Sequence, residues 1–355
     1  MSLAENIIKK IKNEGPISFK DYMEMALYYP RLGYYNSPKL KIGRQGDYYT
    51  TPELTPLFAT LLAKQIEEMW RLLNNQPFTI VEYGAGTGNL CRDILHYLKS
   101  NKDLYRHLRY CIIEKSPFMV GLQKEILSEK VSWFSSISEI ANIVGCILSN
   151  EVLDNFAVHQ VVMKKELMEV FVDYQNGFTE ILYPASCELK NYFTALQVTL
   201  PEDYRAEVNL QALQWLKVIA GSLQKGFIIT IDYGATSEEL YQPSASNGTI
   251  LCYNHQQVNE KYYCDIGEQD ITAHVNFSAL QHWGRRYGFE CCGYTLQSHF
   301  LHALGLVPLL NNSKMQFYPL MMDTATKFKV LIQQKGLQRC FLTGMQFAFK
   351  SNRVF

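Results

Sequence analysis

The residues best suited to chemistry stand in one short run, Glu82-Tyr83-Gly84-Ala85-Gly86-Thr87-Gly88. It follows the apolar stretch Phe78-Thr79-Ile80-Val81 and precedes a helix-patterned segment through about Lys99, so it reads as a strand-to-helix loop. Glycines in such a loop let backbone N–H groups at the helix N-terminus face a ligand with no Cβ in the way. A dinucleotide loop has the spacing G-x-G-x-x-G. Here the third glycine arrives one residue early, at Gly88, and Asn89 takes the dinucleotide position. An acidic residue closing the strand ahead of G-x-G-x-G is the form of S-adenosylmethionine sites. The expected cofactor is therefore S-adenosyl-L-methionine. Glu82 is expected to reach the methionine ammonium, directly or through water. Gly84 and Gly86 would let the chain pass close to the carboxypropyl arm and the ribose.

Ribose hydroxyls call for a carboxylate at the end of the next strand, and Glu114 closes Arg109-Tyr110-Cys111-Ile112-Ile113. Alone, Glu114 reads as easily as a solvated strand end. Paired with the glycine loop it satisfies a second, independent requirement at the matching point of the next βα unit. Ligand crevices of such folds lie at the carboxyl ends of the strands. That brings Glu151 and Asp154, after the strand Gly145–Glu151, toward the transferable methyl group. Methyl transfer from a sulfonium needs positioning and an acceptor lone pair more than strong acid–base chemistry. Two carboxylates suit a cationic acceptor, since they can hold a guanidinium in bidentate fashion. Asp154 reads equally well as the cap of a following helix or turn. The acidic stretch Asp265 to His274 reads as a solvated loop leading into a helix over 278–287, and a lone histidine such as His274 is more often structural than catalytic.

The elements needed to position these groups are legible from periodicity. Short apolar strands alternate with helices from residue 78 onward, at about 78–82, 109–114, 131–134, 145–151 and 226–234. That alternation means a parallel sheet with both faces covered. The expected fold class is α/β and doubly wound, with a mainly parallel sheet and an N-terminal helical extension. Insertions follow strands 4 and 5. Residues 1–75 are expected to form the helical region and a cofactor-covering loop, and 76–355 the main domain with insertions at about 155–205 and 235–275. The first insertion looks antiparallel.

Bulk properties narrow the function classes. The 355 residues are 47% hydrophobic and 19% charged, enough for a sizeable core. Lys plus Arg and Asp plus Glu both total 34, a zero net charge that speaks against a protein held to nucleic acid by phosphate electrostatics. Nine scattered cysteines without a CxxC pair point to reduced, buried thiols. No metal is expected, because His299-x-x-His302 lacks further ligands at suitable spacing. No apolar run reaches bilayer-spanning length, so no membrane insertion is expected. Glu5 and Glu14 sit badly in a mitochondrial presequence, and a cytoplasmic location is the expectation.

Several segments together resemble the MidA family, whose mitochondrial members are complex I assembly factors. They are Gly15-Pro16-Ile17-Ser18-Phe19, Leu32-Gly33-Tyr34-Tyr35, Ile42 to Asp47, Thr50-Thr51-Pro52-Glu53, the glycine loop, Ser149 to Asp154, Ile231-Asp232-Tyr233-Gly234 and Asp265 to His274. The match runs from about residue 15 to 310. The resemblance implies a class I methyltransferase-like fold and protein arginine N-methylation, with symmetric dimethylation of a core complex I subunit in the mitochondrial case, and hence a protein partner bearing the target arginine. By position it implies Gly84, Gly86, Gly88 and Glu114 as cofactor residues, with Asn150 beside them. Gly46, Asp47 and Thr50 match a loop expected to cover the cofactor. Glu151, Asp154 and His274 fall in family motifs, and we assign them catalytic roles. Ser149 and Val152 depart mildly from the Ala and Leu frequent in relatives. Two other readings stay open: a small-molecule or RNA methyltransferase, and a non-catalytic assembly factor that keeps the cofactor fold.

Overall fold

A computed structural model describes residues 1–38, 41, 55–127, 130–242, 246–311 and 325–349. Gly46, Asp47 and Thr50 lie outside the described residues. Contacts divide the chain into two units, one of Tyr49–Val152, Trp215–Tyr233 and Gln281–Phe355, the other of Met1–Tyr48, Leu153–Gln214 and Gly234–Leu280. This differs from the partition at residue 75 expected from the sequence. The reason is a two-residue strand: Ile17 and Ser18 pair antiparallel with Val172 and Phe171, so the N-terminal helices fold with the inserted strands.

The first unit is built on a sheet of β1 (Phe78–Tyr83), β2 (Leu108–Ile113), β3 (Val131–Phe134), β4 (Ile143–Asn150), β5 (Leu223–Ala235), β6 (Glu290–Leu296) and β7 (Phe328–Lys335). Their spatial order is β3-β2-β1-β4-β5-β7-β6. The first five run parallel, and β7 lies antiparallel to both β5 and β6. This is the mainly parallel sheet that the strand–helix alternation predicts. The middles of its parallel strands are apolar, with Ile80, Val81, Ile112, Ile147, Leu148, Ile228 and Ile229 all fully buried, as parallel strands covered on two faces require. Chain order reverses between β1 and β4, and at such a switch point the strand ends splay open to a ligand crevice.

The other unit holds the expected antiparallel insertion. His159–Met163, Leu167–Tyr174 and Phe178–Pro184 form a meander, and Arg205–Val208 pairs with the first of them. Helix Leu3–Glu14 starts at a capping box of Ser2 and Glu5, and helix Phe19–Tyr28 is capped by Ser18 as its sequence suggests. Phe19, Tyr22 and Tyr34 bury against Val170 and Val172. The stretch Asp265 to His274 departs from the solvated loop it resembles. Its centre, Asp270–Thr272, is a buried strand paired with Leu251–Asn254, and Asp270 accepts a hydrogen bond from the Tyr35 hydroxyl at 2.8 Å. All nine cysteines are unpaired. Among the described residues, no helix is long and apolar enough to cross a membrane.

Candidate cofactor and acceptor site

The glycine loop leaves β1 at Tyr83 and enters helix Asn89–Leu98, with Gly88 as its N-cap. Gly84, Gly86 and Gly88 all take left-handed backbone angles, at φ 58°, 53° and 89°, which side chains other than glycine adopt only under strain. Two of them also answer to protein neighbours. A Cβ on Gly84 would meet a Val152 methyl at 3.1 Å, and one on Gly88 would meet Leu127 at 3.2 Å and Gln123 and Ile126 at 3.4 Å. The last glycine thus lets the helix Pro117–Ile126 close over the loop.

Glu82, one residue before the end of β1, is 2% exposed. The Tyr110 hydroxyl, on the neighbouring strand, donates to its Oε2 at 2.7 Å. Burial pushes the Glu82 carboxyl up to about 7, against the lowering effect of the tyrosine and with a smaller upward push from Glu114. A carboxylate held this far from water gains strongly from a cationic partner.

Glu114 follows β2 directly, and its backbone N–H donates to the Phe134 carbonyl. Its Oε1 accepts from the Ser116 N–H at 2.9 Å and its Oε2 from Gln123 Nε2 at 3.2 Å. Burial raises its carboxyl above the ordinary value, opposed by these hydrogen bonds. Beside it, Ser116 Oγ is buried and has no hydrogen-bond partner among the described residues. Two carboxylates at the ends of adjacent parallel strands, an unpartnered hydroxyl and an open glycine turn fit an adenosyl-amino-acid ligand. They offer acceptors for an ammonium and a vicinal diol.

At the end of β4, Asn150 Nδ2 donates to Glu151 Oε1 at 3.1 Å. Glu151 itself sits at φ 55°, a left-handed angle that costs a residue with a side chain on the order of 1 kcal/mol or more. The turn is held by β5: the Glu151 N–H donates to the Ile231 carbonyl, and the Val152 N–H to Asp232 Oδ2 at 3.2 Å. Asp232 is fully buried, and its Oδ1 also accepts from the Tyr233 N–H.

The three expected catalytic residues divide between the units. Glu151 belongs with the parallel sheet, whereas Asp154 and His274 belong to the other unit. There the Ala273 N–H donates to the Asp154 carbonyl at 2.9 Å, and the His274 N–H to Thr249 Oγ1 at 3.0 Å. Asp154 lies in a turn leading to a strand, so of the capping alternative the helix half falls away and the turn half stands. His274 lines a small cavity of about 20 Å³ with Tyr192, Tyr204, Glu207, Tyr241 and Asn276. No group of three or more potential metal ligands occurs among the described residues.

Sequence reasoning missed Tyr110, Gln123, Trp133 and Asp232. Asp232 lay inside a quoted motif without a role. Gln123 carried no signal of its own, because it opens the polar run Gln123-Lys124-Glu125 of the helix Pro117–Ile126 and is the residue of that run that is buried.

A family model described as S-adenosyl-L-methionine-dependent methyltransferase matches residues 61–295. The Drosophila melanogaster "Protein arginine methyltransferase NDUFAF7 homolog, mitochondrial" is 25% identical over 339 residues, which cover 85% of this chain and 75% of that one. The Bos taurus "Protein arginine methyltransferase NDUFAF7, mitochondrial" is 28% identical over 344 residues, covering 86% and 73%. A crystal structure from Burkholderia thailandensis, determined with S-adenosyl-homocysteine bound, superposes at a TM-score of 0.87 with 28% identity, over 98% of this chain and 95% of that one.

Proposed function

The chain belongs to the MidA family of S-adenosyl-L-methionine-dependent methyltransferases, and from that membership we propose that its acceptor is an arginine side chain of a protein. The cofactor supplies a methyl group carried on a sulfonium. In this reading Glu82 pairs with the ammonium of the cofactor's amino-acid end and Glu114 accepts its ribose hydroxyls. Glycines 84 and 86 keep the loop open to the ligand. Glu151 receives the guanidinium, its carboxylate accepting two N–H bonds and aligning the nitrogen that attacks. Methylation of a guanidinium nitrogen releases one proton, which the Glu151 carboxylate accepts from the attacking N–H and passes to water.

One observation carries the acceptor assignment. Glu151 is held in a left-handed turn braced by Asp232, and the residue after it touches the glycine loop through Gly84. Backbone strain of this kind clusters at ligand sites, and at the carboxyl end of a parallel strand it supports a role for the Glu151 side chain. The names of the relatives in fly and cattle supply the substrate class, and the family resemblance extends it to symmetric dimethylation of a complex I-type subunit.

The test is methyl-labelled S-adenosyl-L-methionine added to extract from cells lacking the protein, with peptide mass spectrometry of arginines. Purified wild-type protein is expected to add methyl groups to arginine in one or a few polypeptides. Glu151→Gln is expected to lower incorporation at least tenfold (about 1.4 kcal/mol of transition-state positioning). Label confined to small molecules or RNA, or unchanged by Glu151→Gln, would remove the arginine assignment.

A further inference from the structure

We propose that Gln123 is a positioning residue that aims the Glu114 carboxylate at the cofactor ribose and ties that carboxylate to the glycine loop. The proposal rests on the reading of Glu114 as the ribose acceptor.

Gln123 is fully buried in the helix Pro117–Ile126. Its Oε1 accepts from the Trp133 indole N–H at 2.8 Å. An indole N–H only donates, so the atom facing it must be the amide oxygen, and the orientation of the amide is settled by chemistry. The amide nitrogen then points the other way with two hydrogens to give. Both are used: one goes to the Gly86 carbonyl at 2.8 Å, the other to Glu114 Oε2 at 3.2 Å. A single side chain therefore joins the glycine loop, the end of β2 and the end of β3. Its stem lies 3.4 Å from where a Cβ on Gly88 would stand, so the helix packs directly against the loop.

The consequence for Glu114 follows from counting lone pairs. Oε1 accepts from the Ser116 N–H and Oε2 from Gln123, and the Lys115 N–H is a further backbone donor to the carboxylate. Each oxygen keeps acceptor capacity in a direction set by that first bond. Two oriented acceptors on one carboxylate match two neighbouring hydroxyls. Supporting groups of this kind typically change the affinity of the site they orient by about 10–100-fold. A leucine or methionine at 123 would leave the Trp133 N–H and the Gly86 carbonyl without their partner. A glutamate would set acceptor against acceptor at both Gly86 and Glu114.

The test is a thermodynamic cycle read by calorimetric titration of the whole protein. The ligands are S-adenosylhomocysteine and its 2′-deoxy analogue, and the proteins are wild type and Gln123→Met. Wild type is expected to bind the deoxy analogue at least about tenfold more weakly, since a site built for a hydroxyl rejects the analogue lacking it. Gln123→Met is expected to weaken S-adenosylhomocysteine about tenfold or more and to shrink that discrimination toward unity. Equal weakening of both ligands, with the discrimination intact, would show a role in folding alone and overturn the proposal. Absence of discrimination in wild type would instead overturn the ribose reading of Glu114, and the proposal with it. Should Gln123→Met fail to fold, Trp133→Phe carries the same cycle: it frees the amide to turn, and is expected to reduce discrimination in the same direction. Full discrimination in Trp133→Phe would then overturn the proposal.

Discussion

The Tyr110 hydroxyl donates to Glu82 Oε2 at 2.7 Å, joining two neighbouring strands of the sheet through a carboxyl that is almost wholly removed from water. The bond offsets part of the burial that raises the Glu82 carboxyl, and it stabilises the ionised form more than the neutral one. Tyr110→Phe is therefore expected to destabilise the protein by about 1–3 kcal/mol, with the larger loss at pH 8 than at pH 5. Urea denaturation at the two pH values checks it. A loss equal at both would separate Tyr110 from the ionisation of Glu82.

The raised carboxyl has its own consequence for stability. Native Glu82 keeps its proton to about pH 7, whereas an unfolded glutamate releases it near 4.5. The native state binds more protons across that window, so the contribution of this group to stability is full below it and is lost as pH rises through it. Glu82→Gln is expected to flatten this decline, giving the cofactor-free protein a gain at pH 8 of at most about 3 kcal/mol relative to wild type. Matched denaturation curves for the two proteins between pH 5 and 8 decide the point. Parallel curves would mean that Glu82 ionises normally.

Binding should be linked to the same proton. An ammonium placed against Glu82 favours its ionised form, so titrating S-adenosyl-L-methionine at pH 6.5 is expected to release a fraction of a proton. The measurement is the dependence of binding heat on the ionisation enthalpy of the buffer. Heats that do not vary with buffer would place the ammonium elsewhere.

Two glycines near the loop should respond oppositely to alanine. At Gly88 the backbone is left-handed and the new methyl would meet Leu127, Ile126 and Gln123, so Gly88→Ala is expected to cost about 1–3 kcal/mol. At Gly121, within the helix Pro117–Ile126, a Cβ meets nothing within 4 Å. There alanine is expected to stabilise by about 0.5–1 kcal/mol. Thermal melts of the two variants should move in opposite directions.

Asp232→Ala withdraws the acceptor from the Val152 and Tyr233 N–H groups at a buried site. The expected loss is about 1–3 kcal/mol, together with a fall in kcat larger than any rise in KM, because the Glu151 turn loses its brace. Steady-state kinetics with an unmethylated arginine peptide as acceptor checks the split.

The sequence revealed what depends on short spacing. Glu82, the early glycine and Glu114 fall at fixed points of consecutive βα units, and the structure places the two carboxylates at the ends of adjacent strands and Gly88 at the helix start. Contacts between distant residues left no such trace. Gln123 meets Gly86 across 37 residues and Trp133 across 10, and in the sequence it is one of three consecutive polar residues, with nothing to set it apart from Lys124 and Glu125. The unit boundary was hidden because the strand that decides it, Ile17-Ser18, is too short to show a period of two. The left-handed turn at Glu151 was equally invisible, since glycine or asparagine ordinarily marks such a backbone. Asp154 and His274 stood close in function by motif, yet what joins their segments is a backbone bond from Ala273, which carries no side-chain signature.

The central claim is that the strand ends bearing Glu82 and Glu114 hold S-adenosyl-L-methionine. Calorimetric titration of the cofactor into wild type and Glu114→Ala tests it most directly. The account predicts one-to-one binding by wild type and an affinity at least about tenfold weaker in a variant that keeps its melting behaviour. Wild-type protein that takes up no cofactor, or a Glu114→Ala variant that binds it equally well, would contradict it.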